Sequence, residues 1–302
     1  MLMLLAILAV DTTHTVRVAV AASESLRVVS TGAGEPVIML PGLIGSAFGL
    51  RHLADSIVAD GRRAVVIEPL GIGGSSRPRN ADYSLTAQAD RIAAVMDSLD
   101  LGPAVVVAHS MGGSVALRLA YRRPELVGGL LLLEGGPAEA ATGRRFRRLM
   151  ALAPLLKRVA GPEAIFYHYR RELREVSANP AWVTETVIHG YAAEAMRNPE
   201  ATLSAFQGIA RSSEPEALRG NLARIRCPVV LLLGGTPHSG RTPEQEVAIL
   251  RAEVPQFRVV VVENAGHFIH EEQPGAAAAA VRALDLEVRR WLGAGSAVPR
   301  SW

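Results

Sequence analysis

The chain has 302 residues, of which 49% are hydrophobic, and its formal net charge is +3. This composition excludes an intrinsically disordered protein, and the length fits one large α/β domain with an insertion. The charge is not a sign of a nucleic-acid partner, because Lys157 is the only lysine among the 32 basic residues, which indicates a compositional bias towards arginine. No motif for nucleic-acid binding accompanies it.

The chain begins with an apolar run, Leu2–Val10, which is shorter than the roughly 20 residues that a membrane-spanning helix requires. It is irregular as an export signal, because no basic residue precedes it and the polar stretch Asp11–Thr15 interrupts it before the small residues Ala19–Ala21. We therefore favour an opening strand pair, HTVRVAVA and LRVVS, in a cytoplasmic protein. Export or membrane anchoring through residues 1–25 is the alternative.

Short runs of Val, Ile and Leu predict the core strands. They are continuously apolar, as expected for strands buried on both faces of a parallel sheet. They are Pro36–Leu40, Ala64–Glu68, Ala104–Ala108, Gly129–Glu134, Pro228–Gly234 and Arg258–Glu263.

Helical segments lie between these runs, so the sequence predicts an α/β fold with a doubly wound, mainly parallel sheet. The predicted helices of this core are Ala47–Asp60, Leu85–Leu99, Gly113–Arg123, Glu244–Val254 and Pro274–Trp291.

One interval, residues 137–226, contains no comparable strand. It reads as the helices Leu149–Ala160, Pro162–Val176 and Pro180–Met196, which predicts an inserted helical cap over a core made of residues 26–136 and 227–302. Basic residues are concentrated early in the cap. We favour a solvated helix face for them, with contact to a membrane or another anionic partner as the alternative. They are Arg144, Arg145, Arg147, Arg148, Lys157, Arg158, Arg170, Arg171 and Arg174.

Ser110 stands between the run Ala104–Ala108 and a helical segment, in the sequence AHSMGGS. A nucleophile at the apex of a sharp strand-to-helix turn needs small neighbours, because the backbone is strained and passes close to other chain segments. Ala108, Gly112 and Gly113 meet this need. The motif reads AxSxG in place of GxSxG.

Several segments together resemble the α/β-hydrolase fold with a helical cap. They are LPGLIGS, GIGGSSRP, AHSMGGS, CPVVLLLGG and NAGHFIHEEQP, and the resemblance extends from about Leu26 to Leu292. It implies that Ser110 is the nucleophile of a serine hydrolase. It also implies that the backbone N–H groups of Leu43 and Met111 form the oxyanion hole.

The resemblance places the catalytic histidine last in the chain, which favours His267 of the GHF segment over His270. The other histidines, including His109, His168 and His189, show no spacing typical of metal ligands. With Cys227 as the single cysteine, a cysteine metal cluster is also excluded. We therefore expect neither a metal nor an organic cofactor.

The carboxylate of the triad is not at its usual place. The loop after Pro228–Gly234 reads GGTPHSGRTP and contains no acidic residue before Glu244. Some relatives take the acid from the strand that follows the nucleophile helix, where this chain has Glu134, and we favour that residue. Glu263 is the alternative, and a third possibility is that the site has no acid.

These residues predict hydrolysis of a carboxylic ester or related acyl substrate through an acyl-enzyme intermediate on Ser110. The substrate is expected to be a small molecule with an apolar portion, because the cap is rich in aromatic residues. Acyl transfer to another acceptor, cleavage of a carbon–carbon bond beside a carbonyl, and a binding protein on the same scaffold are the other hypotheses.

Overall fold

The computed structural model describes residues 13–156 and 163–293, and its centre is an eight-stranded sheet. The strand bounds are β1 His14–Ala21, β2 Glu24–Thr31, β3 Pro36–Leu40, β4 Arg63–Ile67, β5 Ala104–His109, β6 Val127–Leu133, β7 Val229–Gly234 and β8 Phe257–Val262. The strands lie in the spatial order β1-β2-β4-β3-β5-β6-β7-β8. The first two pairings, β1 with β2 and β2 with β4, are antiparallel, and the rest are parallel.

The predicted doubly wound sheet is confirmed, with helices packed on both faces. Successive side chains of a strand enter opposite layers, so Leu130 and Leu132 of β6 join one core cluster, while Leu131 and Leu133 join the other. Burying each such side chain contributes about 1.5–3 kcal/mol. The helices of the core are α1 Arg51–Ala59, α2 Leu85–Ser98, α3 Met111–Arg122, α8 Glu244–Glu253, α9 Ile269–Glu272 and α10 Pro274–Gly293.

The prediction that every apolar strand is buried on both faces is wrong for β8. This strand lies at the edge of the sheet, and Val260 and Val261 are 41% and 49% exposed. An edge strand pairs with a neighbour on one side only. The apolar sequence of β8 does not distinguish this edge position from a central one.

Among the described residues, four α-helices, which we call the cap helices, lie in the chain between β6 and β7. They are α4 Arg144–Leu156, α5 Glu163–Glu175, α6 Glu185–Arg197 and α7 Pro199–Arg211. The last of them was not predicted from the sequence. The end of the predicted helix Leu149–Ala160 lies outside the described residues.

The predicted helix Pro180–Met196 is divided in the structure. Pro180–Trp182 forms a short 3-10 turn, and α6 begins at Glu185. Thr184 caps that helix, because its side chain accepts a hydrogen bond from the backbone N–H of Val187 at 3.4 Å. A capping threonine inside an apolar run therefore determines where the helix starts.

The opening strand pair is confirmed, because β1 and β2 pair from His14 with Ser30 onward. The apolar run Leu2–Val10, on which export or anchoring would depend, lies outside the described residues. Within residues 13–156 and 163–293, none of the helices has the length and apolar character needed to cross a membrane.

Candidate active site

Ser110 occupies the turn between β5 and α3, with φ 53° and ψ −121°. A residue with a side chain rarely adopts a positive φ, so the surrounding contacts must hold this conformation. The backbone N–H of Ser110 donates to the carbonyl oxygen of Leu133 at 3.0 Å. A Cβ atom on Gly112 would lie 2.9 Å from the carbonyl oxygens of Leu40 and Pro41. Glycine is thus required where the turn passes β3.

The loop after β3 lies directly beside this serine. A Cβ atom on Gly42 would be 3.1 Å from the Cβ of Ser110, and the following residue, Leu43, lines the same cavity as Ser110. Met111 is the first residue of α3, and an N–H at that position has no acceptor within the helix. Among the residues with described coordinates, nothing accepts a hydrogen bond from the N–H of Leu43 or Met111.

His267 follows β8 in a loop that is held from two sides. Its backbone N–H donates to the carbonyl oxygen of Val176 in the cap at 2.9 Å. Its own carbonyl accepts from Nε2 of His109, the residue before Ser110, at 3.0 Å. A Cβ atom on Gly266 would lie 2.4 Å from the Val176 carbonyl oxygen, so only glycine allows this approach. The serine turn and the histidine loop are therefore joined directly.

The surroundings of His267 favour its neutral form. Burial lowers the pKa of the imidazole well below its usual value, and the neighbouring rings of His109 and His238 act in the same direction. A neutral imidazole can accept a proton, which is what a general base must do at neutral pH.

Glu134 ends β6 with a positive φ of 46° and is buried. The backbone N–H of Gly234 donates to Oε1 at 2.6 Å. The backbone N–H and hydroxyl of Thr242 donate to Oε2 at 2.8 Å and 3.1 Å. Burial raises the pKa of this carboxyl, and the donated hydrogen bonds from Thr242 and Gly234 oppose that rise.

A second histidine, His238, stands beside this carboxylate. Its Nε2 is 3.6 Å from Oε1 of Glu134, and its ring centroid is 5.9 Å from that of His267. One ligand atom of each of Glu134, His238 and His267 lies within 4.8 Å of the other two. Within the described part of the chain, the ion pairs shorter than 4.0 Å that involve Glu134 include His238 but not His267.

The alternatives considered from the sequence occupy other positions. His270 is buried with its ring centroid 4.5 Å from that of His109, and burial lowers its pKa to about 3, with His267 adding to the effect. Glu263 is exposed, and its carboxylate lies along Gly235. The ring of His189 lies against that of Phe166 in a tilted arrangement, with the centroids 4.7 Å apart.

A cavity of about 750 Å³ brings the predicted residues together. Its volume is in the range of sites for small molecules. Cap residues Phe146, Leu149 and Leu152 give it an apolar side, and Arg145 and Arg148 lie at its border. From the core it is lined by Leu43, Ser110, Met111, Glu134, His267 and His270.

The segment after His267 is anchored by a buried carboxylate. Glu271 accepts two hydrogen bonds from the guanidinium of Arg51, at 2.6 Å and 3.1 Å, and one from the hydroxyl of Tyr191 at 2.9 Å. Its side chain is 1% exposed, so the carboxylate depends on these partners.

We expect Arg51→Met to lower the free energy of unfolding by about 2–4 kcal/mol, because it leaves the Glu271 carboxylate buried without its cation. Urea unfolding followed by circular dichroism measures the change. The control is Arg289→Met, which removes surface ion pairs with Asp285 and Glu35 and should cost less than about 1 kcal/mol. Equal losses in the two variants would contradict the anchoring role.

Comparison with known proteins gives a consistent result. The sequence profile of the alpha/beta hydrolase fold matches residues 35–274. A Bacillus subtilis (strain 168) protein provisionally named a 2-succinyl-6-hydroxy-2,4-cyclohexadiene-1-carboxylate synthase is 31% identical over 80% of this chain and 87% of its own length. The Mus musculus sn-1-specific diacylglycerol lipase ABHD11 is 27% identical over 79% of this chain and 76% of its own.

Solved structures agree on the fold. A thermophilic esterase from Thermogutta terrifontis superimposes with a TM-score of 0.73 at 23% identity, over 91% of this chain and 99% of the esterase. At this identity the likeness shows a shared fold and leaves the chemistry to be argued from the site.

Proposed function

Because this chain belongs to the alpha/beta hydrolase fold family, we propose that it is a serine hydrolase that cleaves carboxylic esters of small molecules through an acyl-enzyme intermediate. The observation that carries the proposal is the strained turn at Ser110, which opens into the same cavity as His267. Strain of this kind persists in proteins where function requires it.

In the proposed mechanism, Ser110 Oγ attacks the ester carbonyl while His267 accepts the hydroxyl proton. The negative charge that develops on the carbonyl oxygen is stabilised by the N–H groups of Leu43 and Met111, which have no partner in the described chain. His267 then protonates the leaving alcohol. Water, activated by the same histidine, releases the acid and restores Ser110.

Glu134 serves as the acid of this mechanism. A buried carboxylate within 4.8 Å of His267 stabilises the imidazolium that forms when Ser110 loses its proton. The hydrogen bonds from Gly234 and Thr242 keep the carboxylate fixed, so it does not have to reorganise during the reaction. Glu263 is exposed and lies outside the cavity lining, which disfavours it.

The proposed substrate carries an apolar acyl or alcohol group. Phe146, Leu149 and Leu152 supply the apolar wall on the cap side of the cavity. A series of p-nitrophenyl esters of increasing acyl length tests this, and kcat/KM should rise from acetate to a medium-length chain. A competing alcohol in the same assay distinguishes hydrolysis from acyl transfer, since only transfer yields a new ester.

Gly240→Ala should lower kcat by about 10–100-fold, because small displacements of a catalytic group are costly. The added Cβ would lie 2.9 Å from Nδ1 and 3.1 Å from Cγ of His267, so the ring has to move. Steady-state kinetics on p-nitrophenyl butyrate measures the effect. Gly275→Ala, where a Cβ meets no atom within 4 Å, is the control. Wild-type kcat in Gly240→Ala would show that His267 is not positioned by this contact.

A further inference from the structure

Ester hydrolysis, as proposed above, has no role for His238, although this histidine is buried behind the catalytic residues. It lies in the loop after β7, which contains no carboxylate before Glu244. Its side chain is 1% exposed, and its Nε2 is 3.6 Å from Oε1 of Glu134. Glu134 and His267 reach the same point from the ends of two other strands.

The orientation of His238 shows which of its nitrogens is available. Nδ1 is 2.8 Å from the carbonyl oxygen of Thr236, and a carbonyl oxygen can only accept a hydrogen bond. Nδ1 therefore carries a proton, and in the neutral form of the ring Nε2 presents a lone pair. This Nε2 is buried and has no hydrogen-bond partner among the residues whose positions are described. A lone pair facing a carboxylate is repelled by it unless a proton or a metal cation lies between them.

The side chains of Glu134 and His267 also make fewer hydrogen bonds than they could. Oε1 of Glu134 accepts one hydrogen bond, from Gly234, and an oxygen of a carboxylate can accept two. Nδ1 of His267 is buried beside Gly240 and makes no hydrogen bond of standard geometry within the described chain. Two buried nitrogens without hydrogen-bond partners in the described chain thus converge on one carboxylate oxygen.

We propose that Glu134, His238 and His267 form a binding site for a divalent transition metal such as Zn²⁺, and that the bound metal arrests hydrolysis. Two imidazoles and one carboxylate form a ligand set that suits Zn²⁺ and leaves a fourth position open. Glu134 and His267 line the cavity, so a water molecule or an anion can fill that position.

The distances are close to those that a metal requires. Tetrahedral bonds of about 2.0–2.2 Å hold ligand atoms about 3.3–3.5 Å apart, and Glu134 and His238 are already at 3.6 Å. The widest separation, at most 4.8 Å, must shorten by about 1–1.5 Å, which a rotation of the His267 ring can provide. The Thr236 carbonyl and the Thr242 hydroxyl orient His238 and Glu134 from behind, as outer partners of metal ligands do.

Inhibition follows from the shared histidine. A neutral imidazole has a single lone-pair nitrogen, so when Nδ1 of His267 donates its lone pair to a metal, Nε2 carries the ring proton and cannot accept the proton of Ser110. Ser110 then loses its general base. Metal binding at this site therefore inhibits the proposed hydrolase.

The test is isothermal titration calorimetry with Zn²⁺ on chelator-treated protein, together with the visible absorption of Co²⁺. We expect one equivalent to bind the wild type with a tetrahedral Co²⁺ band. The affinity should fall by about 100-fold or more in His238→Ala and by about tenfold in Thr242→Val, which removes an outer partner. His52→Ala, on an exposed histidine, controls for surface binding and should bind as the wild type does.

Binding in Ser110→Ala separates this inference from the proposed hydrolysis, because Ser110 is not a ligand and the calorimetric signal needs no turnover. Zinc binding that persists unchanged in His238→Ala overturns the proposal. So does the absence of binding to the wild type. In the active protein, Zn²⁺ should abolish ester turnover and a chelator should restore it, whereas turnover by His238→Ala should be insensitive to Zn²⁺.

Discussion

Ser110→Ala is expected to lower kcat for ester hydrolysis by about 10⁵–10⁶-fold, which is the scale of losing the nucleophile of a catalytic triad. The physical reason is that no other hydroxyl takes the place of Ser110 at the strained turn between β5 and α3. The residual rate should come from binding and from the oxyanion donors alone. Steady-state kinetics with an activated ester measures the loss.

The control for this variant is Ser98→Ala, which removes an exposed serine at the end of α2 and should keep wild-type kinetics. Circular dichroism and thermal unfolding show whether Ser110→Ala keeps the fold. A folded Ser110→Ala protein with kcat within tenfold of the wild type would refute the nucleophile assignment.

Glu134→Gln is the second large effect, and we expect kcat to fall by about 10²–10⁴-fold. Glutamine removes the negative charge that stabilises protonated His267. It also places an NH₂ group against the N–H donors of Gly234 and Thr242. Because this mismatch can destabilise the fold, thermal unfolding accompanies the kinetics, and Glu134→Asp provides a variant that keeps the charge.

The matched control for the acid is Glu263→Gln, which should keep kcat within about twofold, since its carboxylate is exposed. The pair of variants decides between the two carboxylates directly. If Glu134→Gln is folded and as active as the wild type, the acid lies elsewhere or the reaction proceeds without one.

The sequence predicted the elements that depend on local pattern. The apolar runs located β3 to β7 within two residues, because a strand buried on both faces needs a continuously apolar sequence. Ser110 could be singled out because its turn requires small neighbours, and the contact of Gly112 with Leu40 and Pro41 gives the reason.

Features that depend on the order of strands in the sheet could not be predicted from the local sequence pattern. The edge position of β8 follows from the crossover connections, which leave no periodic signal in its sequence. The sequence does not single out His238, because its spacing in the chain from His267 and Glu134 is long and irregular. The three meet only because β6 lies beside β7 in register, so that Glu134 reaches the N–H of Gly234.

The most direct test of the proposed hydrolase is intact-protein mass spectrometry after reaction with a fluorophosphonate, followed by peptide mapping. We expect one phosphonyl adduct, located on Ser110 and absent from Ser110→Ala, with labelling slowed strongly in His267→Ala. A folded wild-type protein that takes up no adduct, or one labelled at a different serine, would contradict the account.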